Sequence, residues 1–317
     1  MAWWYVTPNR SPTNYLGGTD LIEIGRMLTA MVTPFDDDGR VDWIQTKRLA
    51  EALIESGSDG LVVGATTGEG PTLTMDEKVQ LWVETKAAIG TTGLIFANTG
   101  NYSTYESIEM TKQAEESGVD GLLLTVPYYN KPPQEGIYEH FKAISEVTNL
   151  PCILYNIPGR TGVKMSAETT IRLSQIDNIV GVKDATEDFE LITKTVSLSR
   201  DGFHIWSGND GDTFPIMCLG GYGVICVISN LFGKQMRRLI DLIVDNQFDA
   251  ANLEHMRLLP LAKGMTGIAS NPIPIKYAMN KVGFRVGKPR LPLLAADNGM
   301  MAMVDSLLDQ YSIDLSV

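Results

Sequence analysis

The chain has 317 residues, 44% of them hydrophobic and 20% charged, and carries a formal net charge of -12. No apolar run reaches the roughly 18 residues of a spanning helix, and an acidic chain without a basic stripe lacks the clustered Lys and Arg that nucleic-acid phosphates need, so membrane and nucleic-acid partners are excluded. Three cysteines (Cys152, Cys218, Cys226) without a CxxC, and three scattered histidines (His140, His204, His255) without ligand spacing, imply a reduced, cytoplasmic protein with no metal site.

Residues 1–25 start Met-Ala-Trp-Trp-Tyr and have neither the layout of a signal peptide nor that of a transit peptide. They are expected to form a poorly ordered N-terminal extension. From residue 26, apolar β runs alternate with helical patterns. The runs lie at 28–32, 60–63, 94–98, 121–125, 152–155, 179–183, 204–207 and 224–228. Between them, Thr74 with Glu77 and Ser103 with Glu106 fit the S/T-x-x-E box, in which hydroxyl and carboxylate satisfy each other's backbone donors at a helix start. Leu49, Leu53 and Ile54 mark the apolar face of one helix, opposite Arg48, Glu51 and Glu55.

An internal echo supports a repeat. SGSDGLVV at 56–63 returns as SGVDGLLL at 117–124, each a helix stop at a glycine followed by a buried parallel strand. Eight such units without a GxGxxG fingerprint predict an α/β chain folded as a (β/α)8 TIM barrel over 26–231. Beyond it the pattern is helical only, around 235–246, 248–261 and from 274 onward, which predicts a C-terminal helical domain over 232–317.

Reacting groups of such a barrel gather at the C-terminal ends of its strands. There the chain carries GATTGE at 64–69, PYYNKP at 127–132, YNIPGRTG at 155–162, Lys183 within GVKDAT at 181–186, and SGND at 207–210. A lysine closing an apolar strand either reaches water or is held in an apolar site, where burial disfavours its charged form and makes it an amine nucleophile. Taken singly, Tyr155 fits a packed strand-end aromatic, the Tyr128 and Tyr129 pair a surface contact, and Arg160 a solvated loop charge. Together, an amine, phenols, hydroxyls, a turn rich in backbone N–H groups and one arginine are the set that Schiff-base carbon chemistry on keto acids requires. The GGYG run at 220–223 fits a tight helix-to-strand turn better than a phosphate loop.

In this order and spacing the motifs resemble the pyruvate-dependent class I aldolase family, from about residue 26 to the end. The resemblance implies that Lys183 condenses with the ketone of pyruvate and that Tyr155, Thr66 and Tyr129 relay protons, Tyr129 reaching into the site of an adjacent subunit. It implies that Thr67 binds the pyruvate carboxylate, that Arg160 receives the carboxylate of L-aspartate 4-semialdehyde, and that Gly208 and Ile225 line the pocket with backbone carbonyls. Asn209 and Asp210 stand where the family often has two acidic residues. No cofactor is implied, because the imine is the electron sink, and the implied assembly is a homotetramer, a dimer of dimers, serving lysine biosynthesis. N-acetylneuraminate lyase and keto-deoxy sugar acid aldolases share several of these elements, but Arg160 and the YYNKP run favour the condensing branch. A non-catalytic keto-acid-binding barrel would tolerate loss of the lysine or relay, and every member of both is present.

The resemblance also implies an effector cleft. Pro71, Met75, Lys78, Tyr102, Glu106 and Tyr128 match the positions around which lysine-inhibited members bind L-lysine. Met75 and Lys78 replace two histidines, Pro71 a small residue and Tyr102 an asparagine. Lys78 sets a cation against a cationic effector, so inhibition is expected to be weak or absent.

Overall fold

A computed structural model describes residues 23–316. Eight parallel strands close into a barrel in sequence order: β1 (Met27–Ala30), β2 (Gly60–Val63), β3 (Leu94–Asn98), β4 (Gly121–Thr125), β5 (Cys152–Asn156), β6 (Ile179–Asp184), β7 (His204–Ser207) and β8 (Gly223–Cys226), with β8 pairing back on β1. Helices α1 (Trp43–Glu55), α2 (Met75–Ile89), α3 (Thr104–Glu116), α4 (Gln134–Ser145), α5 (Pro158–Thr161), α6 (Ala167–Leu173), α7 (Phe189–Leu198) and α8 (Thr213–Cys218) lie between them. Four more come after β8: α9 (Ser229–Val244), α10 (Phe248–Gly267), α11 (Ile273–Lys281) and α12 (Asn298–Leu308). The expected (β/α)8 barrel followed by helices is therefore the observed fold. The boundary drawn at 231/232 falls inside α9, at Phe232, whose φ of -124° and ψ of 43° break the helix. Residues 1–22 of the N-terminal extension lie outside the described residues.

Each strand feeds two cores because its side chains alternate in direction. Leu28, Val62, Phe96, Leu123, Ile153 and Trp206 belong to the cluster inside the barrel, while Leu61, Ile95, Leu122 and Leu154 join the helices outside. On α1, Leu49 and Leu53 are buried while Arg48, Glu51 and Glu55 are exposed, as its amphipathy dictates. The Thr74 and Glu77 box is complete at the start of α2. At α3 it is half made: the Ser103 hydroxyl accepts from the Glu106 N–H, but the Glu106 carboxylate takes the Asn101 amide at 2.5 Å instead.

Two strands, β1 and β8, each stop two residues short of the sequence-based run. β1 stops at Ala30, and the Val32 N–H turns to the side chain of Asn230. β8 stops at Cys226, although Val227 and Ile228 are as apolar as the strand before them, because their N–H groups donate to the buried carboxylate of Asp210. A side-chain acceptor competed with the ladder and won. The GGYG run is the turn from α8 into β8, with Gly220 at a φ of +99°.

Candidate functional site

A bulge decides where Lys183 points. β5 and β6 pair as Cys152 with Ile179 but Ile153 with Gly181, so Val180 is an extra residue. Strict alternation from Ile179, which packs outside, would also turn Val182 inward and Lys183 outward. After the bulge Val182 packs in the outer core and Lys183 stands in register beside Tyr155, an inner residue. Gly181 allows this, since a Cβ there would lie 2.5 Å from the Trp206 ring and 2.3 Å from the His204 carbonyl.

The Lys183 ammonium, on a side chain only 4% exposed, lies 4.3 Å from the centroid of the Tyr155 ring, itself 3% exposed. It has no hydrogen bond or ion pair among the described residues. The charge of Lys183 is felt at Asp210, whose carboxyl burial pushes above the ordinary carboxylate range while the N–H groups of Ile228 and Val227 and the charge of Lys183 pull it down. Burial likewise raises Asp184, the residue after Lys183, to about 6 against hydrogen bonds from Thr186. The Gly208 N–H donates to the Asp184 carbonyl at 2.6 Å, tying the end of β7 to that of β6. Ile225 is buried in β8 opposite Leu28.

The GATTGE segment leaves β2 as a tight turn. The Glu69 N–H donates to the Thr66 carbonyl at 3.1 Å and Gly70 N–H to the Ala65 carbonyl at 3.0 Å. Thr66 is half-buried; Thr67 is buried, and its Oγ1 accepts from the Asn271 amide at 2.9 Å. Glu69 adopts a left-handed backbone and is held by Lys276 of α11. Neither Asn271 nor Lys276 stands out in the sequence as a site residue. The available signal was a lysine inside the otherwise apolar PIPIKYAM stretch, since a lysine is fully buried only when paired.

Arg160, in the short helix α5, is exposed, and its guanidinium has no polar partner among the described residues. Tyr129 is 89% exposed, and its own chain does not bring it against Tyr155 or Thr66. Among the described residues, four of the five non-glycine residues with positive φ, namely Glu69, Tyr129, Lys131 and Glu187, sit in loops that follow barrel strands, and the fifth, Asn246, lies elsewhere. Such strained conformations concentrate where function over-determines the backbone.

The positions matched to an effector cleft come together in part. The rings of Tyr102 and Tyr128 meet edge to face at 5.3 Å. The Lys78 ammonium lies 3.7 Å from the Met110 sulfur, lowered by burial and raised by the charge of Glu106. Burial raises the Tyr128 phenol, with Tyr102 and Glu106 adding to it. Met75 packs against the outer core and Pro71 is exposed.

Among the described residues there is no group of three or more metal-ligating side chains, and no helix is long and apolar enough to cross a membrane. Cys152, Cys218 and Cys226 are unpaired.

A family model described as the dihydrodipicolinate synthetase family matches residues 23–311. The chain is 52% identical over 295 residues to a 4-hydroxy-tetrahydrodipicolinate synthase of Dehalococcoides mccartyi, an alignment spanning 93% of this chain and 99% of that one. Among solved structures, a dihydrodipicolinate synthase from Bacillus anthracis matches with a TM-score of 0.89 at 42% identity, over 92% of this chain and 99% of that one. Another from Cyanidioschyzon merolae, with lysine bound, matches with a TM-score of 0.89 at 40% identity, over 90% and 98%.

Proposed function

Since the chain belongs to the dihydrodipicolinate synthetase family, its activity is that of a 4-hydroxy-tetrahydrodipicolinate synthase, a lyase of the Schiff-base aldolase type in lysine and diaminopimelate biosynthesis, and we propose that Lys183 carries it. The observation behind this is the placement of an amine, without a hydrogen-bonded partner among the described residues, against the Tyr155 phenol ring at the C-terminal end of the barrel, 4.3 Å away.

In this scheme the Lys183 amine adds to the ketone carbon of pyruvate and water leaves, giving an imine. Loss of a methyl proton gives the enamine, which attacks the aldehyde carbon of L-aspartate 4-semialdehyde. The amino group of the adduct then displaces Lys183 by transimination and closes the ring. Atoms balance without an oxidant or cofactor. Tyr155 is the near proton donor and acceptor, Thr66 passes protons on, and a positioned acid-base group of this kind contributes roughly 10²- to 10⁴-fold in rate. Thr67 and the backbone of its turn receive the keto-acid carboxylate, while the carbonyls of Gly208 and Ile225 line the pocket. Arg160, its guanidinium unpaired among the described residues, suits bidentate capture of the second carboxylate.

Tyr129 completes the relay only from another subunit. Its exposure, together with Tyr105 at 74% and Tyr102 at 46%, supports an aromatic face covered by a second copy, within a homotetramer acting in the cytoplasm. At the cleft beside it Lys78 already answers the charge of Glu106, so L-lysine inhibits weakly or not at all. The deciding experiment is borohydride reduction in the presence of pyruvate, followed by mass spectrometry. A pyruvate-derived adduct on the peptide bearing Lys183, absent from Lys183→Ala, is the expected result; an adduct retained in that variant overturns the assignment.

A further inference from the structure

Behind the GATTGE turn lies a buried ion pair that the chemistry above does not use. The Lys276 ammonium and the Glu69 carboxylate meet at 2.7 Å with side chains 0% and 1% exposed. The second Glu69 oxygen accepts from the backbone N–H of Arg290 at 2.8 Å. Lys276 also donates to the Thr33 carbonyl at 2.9 Å, and its ammonium sits 4.1 Å from the centroid of the Phe35 ring. One cation thus joins the chain leaving β1, the turn leaving β2 and a helix some two hundred residues later in sequence.

What this cation holds is a strained residue. Glu69 has a φ of 54° and a ψ of 33°, a left-handed conformation that a glutamate adopts only under constraint. That conformation carries the Glu69 N–H back to the Thr66 carbonyl and closes the turn. A hydrophobic pair of similar volume is often as stable as a buried ion pair, so stability alone does not account for this one. Two residues before Glu69, Thr67 is fixed by Asn271 from the same C-terminal segment.

We propose that the Glu69 and Lys276 pair is a positioning device for the keto-acid carboxylate turn at Thr66 and Thr67, through which the helical segment after the barrel sets affinity for the first substrate. This rests on pyruvate being that substrate. Neither residue is catalytic; both act through the backbone of the turn.

The test uses the full chain with Lys276→Met and Glu69→Gln, comparing the KM for pyruvate, the KM for the aldehyde and the melting temperature. In folded Lys276→Met the pyruvate KM is expected to rise about tenfold, while the aldehyde KM changes by no more than about twofold, because only the turn has moved. If Lys276→Met does not fold, Glu69→Gln decides, since it keeps the side chain's shape and removes its charge; a rise of about threefold or more in pyruvate KM is expected. A folded variant with wild-type pyruvate KM, or with both KM values raised alike, overturns the proposal. So does failure of both variants to fold, which makes the pair a folding determinant alone. Absence of the borohydride-trapped pyruvate adduct in the unmodified protein overturns the pyruvate assignment instead.

Discussion

Two lysines of this chain are buried for opposite reasons, and the same substitution separates them. Lys183 is 4% exposed with an aromatic ring beside it and no hydrogen bond or ion pair among the described residues, whereas Lys276 is 0% exposed and bonded to Glu69 at 2.7 Å. Methionine is close to lysine in length and volume, so neither change leaves a large cavity. Both variants make the same lysine-to-methionine change in one chain of net charge -12, so that background cancels. Lys276→Met strands a carboxylate that is 1% exposed, and breaking a buried pair in this way costs about 3–5 kcal/mol. At about 2 °C per kcal/mol for a chain of this size, the melting temperature falls by roughly 6–10 °C. In Lys183→Met a desolvated ammonium is replaced by an apolar group. The lost cation–π contact, about 1–2 kcal/mol, is offset by relief of a desolvation cost of several kcal/mol. The gain is trimmed because Asp210 loses a favourable neighbour. The net expectation is a melting temperature unchanged or about 2 °C higher. Thermal unfolding of both variants and the unmodified protein is compared without pyruvate at one protein concentration, since assembly shifts the midpoint. A fall of about 5 °C or more in Lys183→Met would show that Lys183 has a structural partner and would refute the contrast.

Two more outcomes rest on the geometry. The Arg160 side chain is exposed and unpartnered among the described residues, so Arg160→Ala should leave stability within about 0.5 kcal/mol. It should lower kcat/KM for the aldehyde by roughly 10- to 100-fold, the worth of a charge-assisted bidentate contact; unchanged steady-state kinetics would remove Arg160 from the site. His140, 5% exposed, is pushed down to about 4 by burial, against about 6.5 in the unfolded chain. Its neutral form therefore contributes stability that is full above pH ~6.5 and lost as pH falls through about 4, up to about 3 kcal/mol. Urea midpoints at several pH values across that window should fall less steeply in His140→Gln; an unaltered slope would mean that the imidazole is not held neutral.

Much of the fold was legible because buried parallel strands are written as near-continuous apolar runs and their helices carry local caps. Such signals are local, so β2, β3, β4 and β7 match the sequence-based runs residue for residue, with β5 and β6 each one residue longer. The candidate site was legible as motifs for a related reason. A barrel gathers the C-terminal ends of all its strands on one face, which is how Thr66, Thr67, Tyr155, Lys183 and Gly208 could be brought together from positions far apart in the chain. The ends of β1 and β8 were not legible, because Asn230 and Asp210 take backbone N–H groups that an apolar run assigns to the ladder.

The sequence by itself determined the number and order of the strands and the motifs that follow β2, β4, β5, β6 and β7. Which way their residues point, and what holds them, was decided only by the tertiary structure. Side-chain direction in a strand has a period of two, so one bulged residue at Val180 turns Lys183 from the helices to the barrel interior beside Tyr155. The supports of the GATTGE turn lie 204 residues away for Thr67 and Asn271, and 207 for Glu69 and Lys276. At that separation no local periodicity reports the contact, and burial of the charges that make it is known only once the chain has closed around them.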